Sequence, residues 1–260
     1  MNDQSWRIVQ GDGPLVGAAI HSGHCLRNDV AELMALADDE RLREEDPFTD
    51  AWTAIAPNQV VALKSRFELD LNRPREKAVY ASADDAWGLH VWKSEPPQAL
   101  IEESLAIYDT FYRDVHRLLT GLVERHERVV VYDIHSYNHR RSGPDGVPAD
   151  AELNPEVNVG TATMYRRRWV NVVDRFLADL HDFDFLGRKL DVRENVKFFG
   201  GAFPKWIHEQ FPSSACVLSV DVKKFFMNEW TGLPDMDAIT TITEALQSTV
   251  DGVLEELSRQ

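Results

Sequence analysis

The stretch from residue 100 to residue 141 constrains the fold more than any other. LIEESLAIYDTFYRDVHRLLTGLVERH (100–126) places Leu, Ile, Tyr, Phe and Val at helical spacing, which predicts a long helix with one apolar face. It leads almost directly into VVVYDIHS (129–136), apolar without alternation. A strand apolar on both faces belongs inside a sheet that is covered on both sides, the setting of a central parallel strand. A helix feeding such a strand is the repeating unit of α/β architecture.

The rest of the chain repeats the pattern. VGAAI (16–20) and ACVLSVDVKKFF (215–226) read as buried strands, and QVVALKSRFELDLN (59–72) as a strand ended by RPREK, because Pro74 cannot donate to a ladder. VAELMALADDERLREE (30–45), WVNVVDRFLADLHDF (169–183) and DAITTITEALQSTVDGVLEELSRQ (237–260) carry helical periodicity. NVKFFGGAFPKWIHEQF (195–211) reads as a strand, a Gly-Gly turn and a short helix. No Pro/Gly/Ser-rich linker divides the 260 residues. The expectation is one α/β domain over 1–260, a mostly parallel sheet with helices on both faces.

Charge narrows the partners. With 28 basic and 43 acidic side chains the formal net charge is −15. Such a surface repels nucleic acid and anionic membranes, so neither is expected as a partner. No segment reaches the roughly 18 apolar residues of a membrane span, and the amino-terminal residues have no apolar signal core. Two cysteines, Cys25 and Cys216, without CxxC spacing fit a reducing compartment. A soluble cytoplasmic protein is expected. Cys25 lies among candidate functional residues, so a thiol nucleophile is one option, although a lone Cys more often packs as a small hydrophobe.

Polar residues gather where the expected strands end: His21, Asn72 with Arg73, His135, and Asp221. Ligands of open parallel sheets bind at the carboxyl ends of strands. Two His and a carboxylate form the ligand set of a catalytic zinc, with a fourth position left for water. The metal lowers the pKa of that water to roughly 7. A separate carboxylate then serves as general base, and arginine's planar fork suits a substrate carboxylate. Strand period puts Asp133 on the same face as His135, able to support it. His24 lies three residues after His21 in HSGH, a tolerable ligand spacing. Arg140 and Arg141 follow His135 closely enough to line the same cleft. With Arg66 and Arg73 they make it locally positive in an acidic protein, which suits an anion that carries two carboxylates. Each residue also has a plainer reading: a hydrogen-bonded core histidine, a turn-capping Asp, a solvated basic loop.

HSG after a strand, SRFELDLNRP, DIHS and NVGT (158–161), in that order, resemble the N-formylglutamate amidohydrolase (N-formylglutamate deformylase) family. So does a Gly-Gly turn followed by an apolar strand ending in an acid. The resemblance spans about residues 16 to 232. The family is related to zinc carboxypeptidases and aspartoacylases, which implies a phosphorylase/hydrolase-like fold and one zinc ion per chain. It implies His21 as the first zinc ligand and His135 as the last, with Asn72 and Arg73 gripping a substrate carboxylate. Asp221 falls where the family has its late catalytic Glu.

Two departures stand out. The relatives' HxxE has His24 in place of Glu. The missing acid is then Asp46, the preferred choice, or Glu45, or else His24 itself ligates. Asp221 is one methylene shorter than Glu, and Glu229 in FFMNEWTG is the alternative base. The implied activity is zinc-dependent hydrolysis of a small N-acyl, foremost N-formyl, acidic amino acid such as N-formylglutamate, giving the free amino acid and formate. A carboxypeptidase- or aspartoacylase-like hydrolase and a non-catalytic carboxylate-binding protein are the alternatives.

Overall fold

The computed structural model describes residues 4–260. Among the described residues, seven strands and eight α-helices follow one another as β1 (Trp6–Val9), β2 (Leu15–Ala19), α1 (Asn28–Leu33), α2 (Asp38–Glu44), α3 (Thr49–Trp52), β3 (Asn58–Ala62), α4 (Gln98–His126), β4 (Val129–Tyr137), β5 (Val157–Gly160), α5 (Val170–Asp182), β6 (Val192–Glu194), α6 (Ala202–Gln210), β7 (Ala215–Lys223), α7 (Met236–Ser248) and α8 (Val250–Ser258). The strands form one mixed sheet in the order β1-β3-β2-β4-β7-β5-β6. β3, β2, β4 and β7 run parallel at its centre. β1 is antiparallel to β3, and β5 and β6, parallel to each other, join β7 through an antiparallel pairing.

Side-chain alternation along β4 divides the core into two layers. Val130, Tyr132 and Ile134 pack with α5, α7 and α8, while Val129 and Val131 pack with α4 and α6. Continuing the second face by period two brings Asp133 and then His135. In β7 the same face carries Ala215 and Val217, then Ser219 and Asp221, with Asp221 in register with His135. Each strand is therefore apolar where helices cover it and polar at its carboxyl end, where they stop.

Long segments expected to be regular are broken by tertiary contacts. The 30–45 helix is two helices, because Met34 bridges to Trp92 and the Ala35 amide donates to Val91 O. Glu40 then restarts the helix by accepting from the Ala37 amide. Strand 59–72 ends at Ala62, and residues beyond it curl over the sheet end. The Tyr108 and Tyr112 hydroxyls of α4 hold that curl by donating to Arg73 O and Leu71 O at 2.8 and 2.7 Å. The strand expected at 195–199 is instead β6, Val192–Glu194, followed by a loop that opens with Asn195 at φ 53°. The closing helix breaks at Thr249 into α7 and α8.

Candidate metal centre

His21 lies two residues past the end of β2, His135 lies in β4, and Asp46 sits between α2 and α3. One ligand atom from each falls within 4.8 Å of the others. Asp46 Oδ2 lies 3.0 Å from His135 Nδ1 and 3.5 Å from His21 Nδ1, and the ring centroids are 4.9 Å apart. The Asp46 amide donates to His21 O at 3.0 Å, so backbone as well as side chain brings the two loops together. All three residues are buried.

The opposite nitrogen of each ring faces its own carboxylate: His21 Nε2 to Asp70 Oδ1 at 2.8 Å, His135 Nε2 to Asp133 Oδ1 at 3.0 Å. An ionised carboxylate only accepts, so each Nε2 donates to its own partner; a neutral ring then turns its Nδ1 lone pair toward Asp46, and a protonated one donates to it. Lone pairs and a carboxylate oxygen face one another at these distances only with positive charge between them, a proton or a cation. Burial opposes charge on His135, yet Asp133 and Asp46 outweigh it and raise its pKa well above the ordinary imidazole value. Burial likewise disfavours the Asp46 carboxylate, but His135 and His21 overcome this and hold it well below the usual carboxylate range. The donor set, two imidazole nitrogens and one carboxylate with ring tautomers fixed from behind, fits a divalent cation of the zinc type.

A cavity of about 200 Å³ opens on these groups, and Arg66, Asn72, Asp221 and Lys224 line it. Asp221 is buried, which pushes its carboxyl up to about 7 against the opposing pull of His135 and of Asn158. Asn158 Nδ2 donates to Asp221 Oδ2 at 3.2 Å and to Phe198 O at 2.9 Å, while its Oδ1 accepts from the amides of Val196 and Lys197. One side chain thus orients the acid and shapes the loop beside it. Arg66 donates to Asp70 Oδ2 at 2.7 Å, and its buried Nε has no hydrogen-bond partner among the described residues.

The sequence-derived candidates divide between this cavity and its surroundings. His21, Asp46, His135, Asn72, Arg66, Arg141 and Asp221 border it. His24 does not join the cluster: its Nδ1 pairs with Glu45 Oε2 at 2.6 Å. Glu45 is itself held by the Ser65 hydroxyl and by His24, so it too faces away. Gly23 explains why HSGH turns this way. A Cβ there would meet Leu63 C and Lys64 O at 2.4 Å, so only glycine lets the loop lie against the β3 exit. Arg73 is not in the cavity wall. Its guanidinium donates to Asp85 O and lies 4.6 Å over the Tyr80 ring. Asn72 Oδ1 accepts from the Phe203 amide at 3.0 Å and its Nδ2 lies 3.5 Å from His135 Nε2, so it stands between the first turn of α6 and the imidazole cluster. A Cβ on Gly201 would fall 2.1 Å from Asn72 Oδ1, which accounts for the Gly-Gly turn. Arg140 lines an adjoining annex rather than this cavity. Glu229 accepts from the His139 amide at 3.0 Å and from the Arg140 amide, borders a separate groove, and is occupied in shaping that loop. Cys25 is exposed and does not line the cavity.

The N-formylglutamate amidohydrolase family model matches residues 13–222. The chain belongs to that family. Among solved structures, the N-formylglutamate amidohydrolase from Ralstonia eutropha JMP134 is similar over 98% of both chains, at 17% identity and a TM-score of 0.75. The gene product Atu2144 from Agrobacterium tumefaciens is similar over 95% of both, at 16% identity and a TM-score of 0.67. A metallo-carboxypeptidase from Burkholderia cenocepacia gives 12% identity and a TM-score of 0.38, over 93% of this chain and 56% of its own, a likeness too slight to argue from. No curated protein matches.

Within this N-formylglutamate amidohydrolase family member, four residues of the site carried no assigned role in the sequence. Asp70, in the quoted DLNRP, and Asn158, in NVGT, sit inside the resemblance but act from behind the reacting groups. Lys224 is fully buried, and its Nζ donates to Arg43 O and Glu45 O at 2.6 and 2.7 Å, bracing the loop that presents Asp46. Burial lowers its pKa to about 8. The sequence signal was a lysine continuing an apolar strand, where burial demands a polar partner. Asn138 falls in SYNHRR, whose plainer reading is a solvated loop, yet it is 5% exposed.

Proposed function

We propose that this chain is a zinc-dependent amidohydrolase that removes an N-acyl group, N-formyl foremost, from a small carboxylate-bearing amino acid. Water adds across the amide C–N bond to give the free amine and formate. His21, Asp46 and His135 would hold the metal, one ion per chain. When bound, zinc supplies a Lewis acid that polarises the amide carbonyl and acidifies water. Asp70 and Asp133 fix the imidazole tautomers so that both Nδ1 atoms stay available.

Asp221 acts as general base and then general acid. Its Oδ2 is held by Asn158, leaving Oδ1 to take a proton from water and deliver it to the departing amine. A carboxyl pushed up to about 7 is matched to proton transfer near neutrality. Arg66, lining the cavity with an unpartnered Nε, is the residue best suited to bind the substrate carboxylate, with Arg141 at the mouth. Asn72 steadies the cluster, and Arg73 supports the loop over it.

The observation that carries this reading is the inward pair of Nδ1 atoms around Asp46, each ring backed by its own carboxylate. The test is metal content together with hydrolysis of N-formylglutamate. The expected result is about one zinc per chain, with formate release lost on chelation and restored by zinc. Formate release at full rate from zinc-free protein overturns the reading.

A further inference from the structure

A second cavity of about 130 Å³ adjoins the first and shares Glu44, Trp87, Asn138 and Arg141 with it. Its own walls are Arg43, Leu89, Arg140 and Trp230. Trp230 is fixed in two ways: its indole N–H donates to Arg140 O at 2.8 Å, and the Arg43 guanidinium lies 4.2 Å over its ring. Trp87 faces the same space, 53% exposed, on a backbone at φ 54°. An exposed indole held in the left-handed region costs roughly 1 kcal/mol in backbone conformation alone. Two guanidiniums engage one carboxylate here, Glu44, Arg141 at 2.8 and 3.0 Å and Arg43 at 3.3 Å, while Arg140, which also borders the annex, donates from Nη1 to Gly146 O at 2.9 Å. The annex is therefore apolar on two sides and positively charged.

The junction carries the decisive feature. Asn138 borders both cavities and is 5% exposed, and its Oδ1 has no hydrogen-bond partner among the described residues. A buried acceptor left unmade costs about 1–3 kcal/mol, and natural structures rarely leave one without a purpose. What it lacks is an N–H or O–H donor, at a residue that borders both cavities.

We propose, resting on the amidohydrolase reading above, that the preferred substrate is longer than one amino acid: an N-acyl dipeptide anion with an apolar or aromatic second residue. Its acyl amide lies in the metal cavity and its peptide N–H donates to Asn138 Oδ1. The second side chain packs between Trp87, Leu89 and Trp230, where aromatic area contributes most. Its terminal carboxylate meets Arg43, whose guanidinium lies over the Trp230 ring. Hydrolysis still breaks only the acyl C–N bond, releasing formate and the intact dipeptide.

The test compares N-formyl-Glu, N-formyl-Glu-Phe and the carboxy-terminal amide of the latter on zinc-loaded protein, and, separately from turnover, calorimetric binding of the products Glu and Glu-Phe. The expected result is a kcat/KM at least tenfold higher for N-formyl-Glu-Phe than for N-formyl-Glu, most of it lost with the amide. Glu-Phe binds at least tenfold more tightly than Glu. Asn138→Ala, Trp230→Ala and Leu89→Glu each bring both ratios toward one; Leu89 is only partly buried, so its variant guards against misfolding at Trp230. Equal binding of Glu and Glu-Phe, or ratios unmoved by all three variants, overturns the annex. No hydrolysis of any formyl substrate, with the binding ratio intact, overturns the amidohydrolase reading and leaves the annex standing.

Discussion

The floor of the cleft and its mouth are held by different kinds of bond. On the floor, His21, Asp46 and His135 are at most 5% exposed, and side chain meets side chain: each imidazole lies between two carboxylates. At the mouth, Trp87 is 53% exposed and the Arg141 side chain 60%. There Glu44 pairs with the exposed Arg141 and with Arg43, and the other fixings run from side chain to backbone: Glu229 to the amides of 139 and 140, Trp230 to Arg140 O, Arg73 to Asp85 O. Buried charge pairs are unforgiving, because removing one partner strands the other. Side chain to backbone bonds in a loop relax more cheaply. Floor residues should therefore govern metal affinity and chemistry, and mouth residues substrate affinity.

The largest effect is expected from His135→Ala. The metal and the proton-transfer residue beside it lose a common anchor, so kcat/KM should fall roughly 10⁴-fold, with zinc lost on desalting. Retention of one zinc per chain would remove the distinction between floor and mouth. Asp221→Asn should lower kcat about 10²–10⁴-fold while elemental analysis still finds full zinc. Its pH dependence sharpens the point. The active form of a base is the carboxylate, and burial pushes the Asp221 carboxyl up to about 7. A bound zinc opposes that rise and also acidifies water, so wild-type kcat/KM should decline on the acid side of about 7, and the limb should shift in the variant.

Asp133→Asn leaves the ring in place but weakens its support, and zinc affinity should drop about 10–100-fold in a competition titration. Lys224→Met tests whether the brace behind Asp46 belongs to the floor. Two buried carbonyls lose their donor, at a cost of about 1–3 kcal/mol. Zinc affinity should fall with stability, and Lys224→Arg should recover both in part. A stability loss with unchanged zinc affinity would assign Lys224 to general packing. The smallest effect belongs to the mouth: Glu229→Gln should raise KM about three- to tenfold through the loosened 138–141 loop, with zinc content and kcat near wild type.

The same contrast explains what the sequence disclosed. Strands β2, β4 and β7 were legible because buried parallel strands leave uninterrupted apolar runs, and the residues at their ends, His21, His135 and Asp221, were named with them. Asp46 was preferred over Glu45 without a local signal to separate two adjacent acids. The separation comes from Ser65 and His24, which capture Glu45. Asp70 was hidden because the 59–72 segment reads as a strand, yet its second half curls over the sheet under the hydroxyls of Tyr108 and Tyr112. Glu229 was read as a possible base because a chain position cannot reveal that its carboxylate is committed to two amides about ninety positions away. Long-range hydrogen bonds of this kind leave no periodicity. The floor depends on them too, through His135–Asp46 and His21–Asp70, but its two histidines also sit at strand ends that periodicity reveals.

The most direct test of the central claim is diffraction at the zinc absorption edge from crystals grown with the metal. The account predicts one strong anomalous peak about 2.0–2.2 Å from His21 Nδ1, His135 Nδ1 and a carboxylate oxygen of Asp46. A peak bound elsewhere, or His21 and His135 turned into separate surroundings with no metal between them, would contradict it.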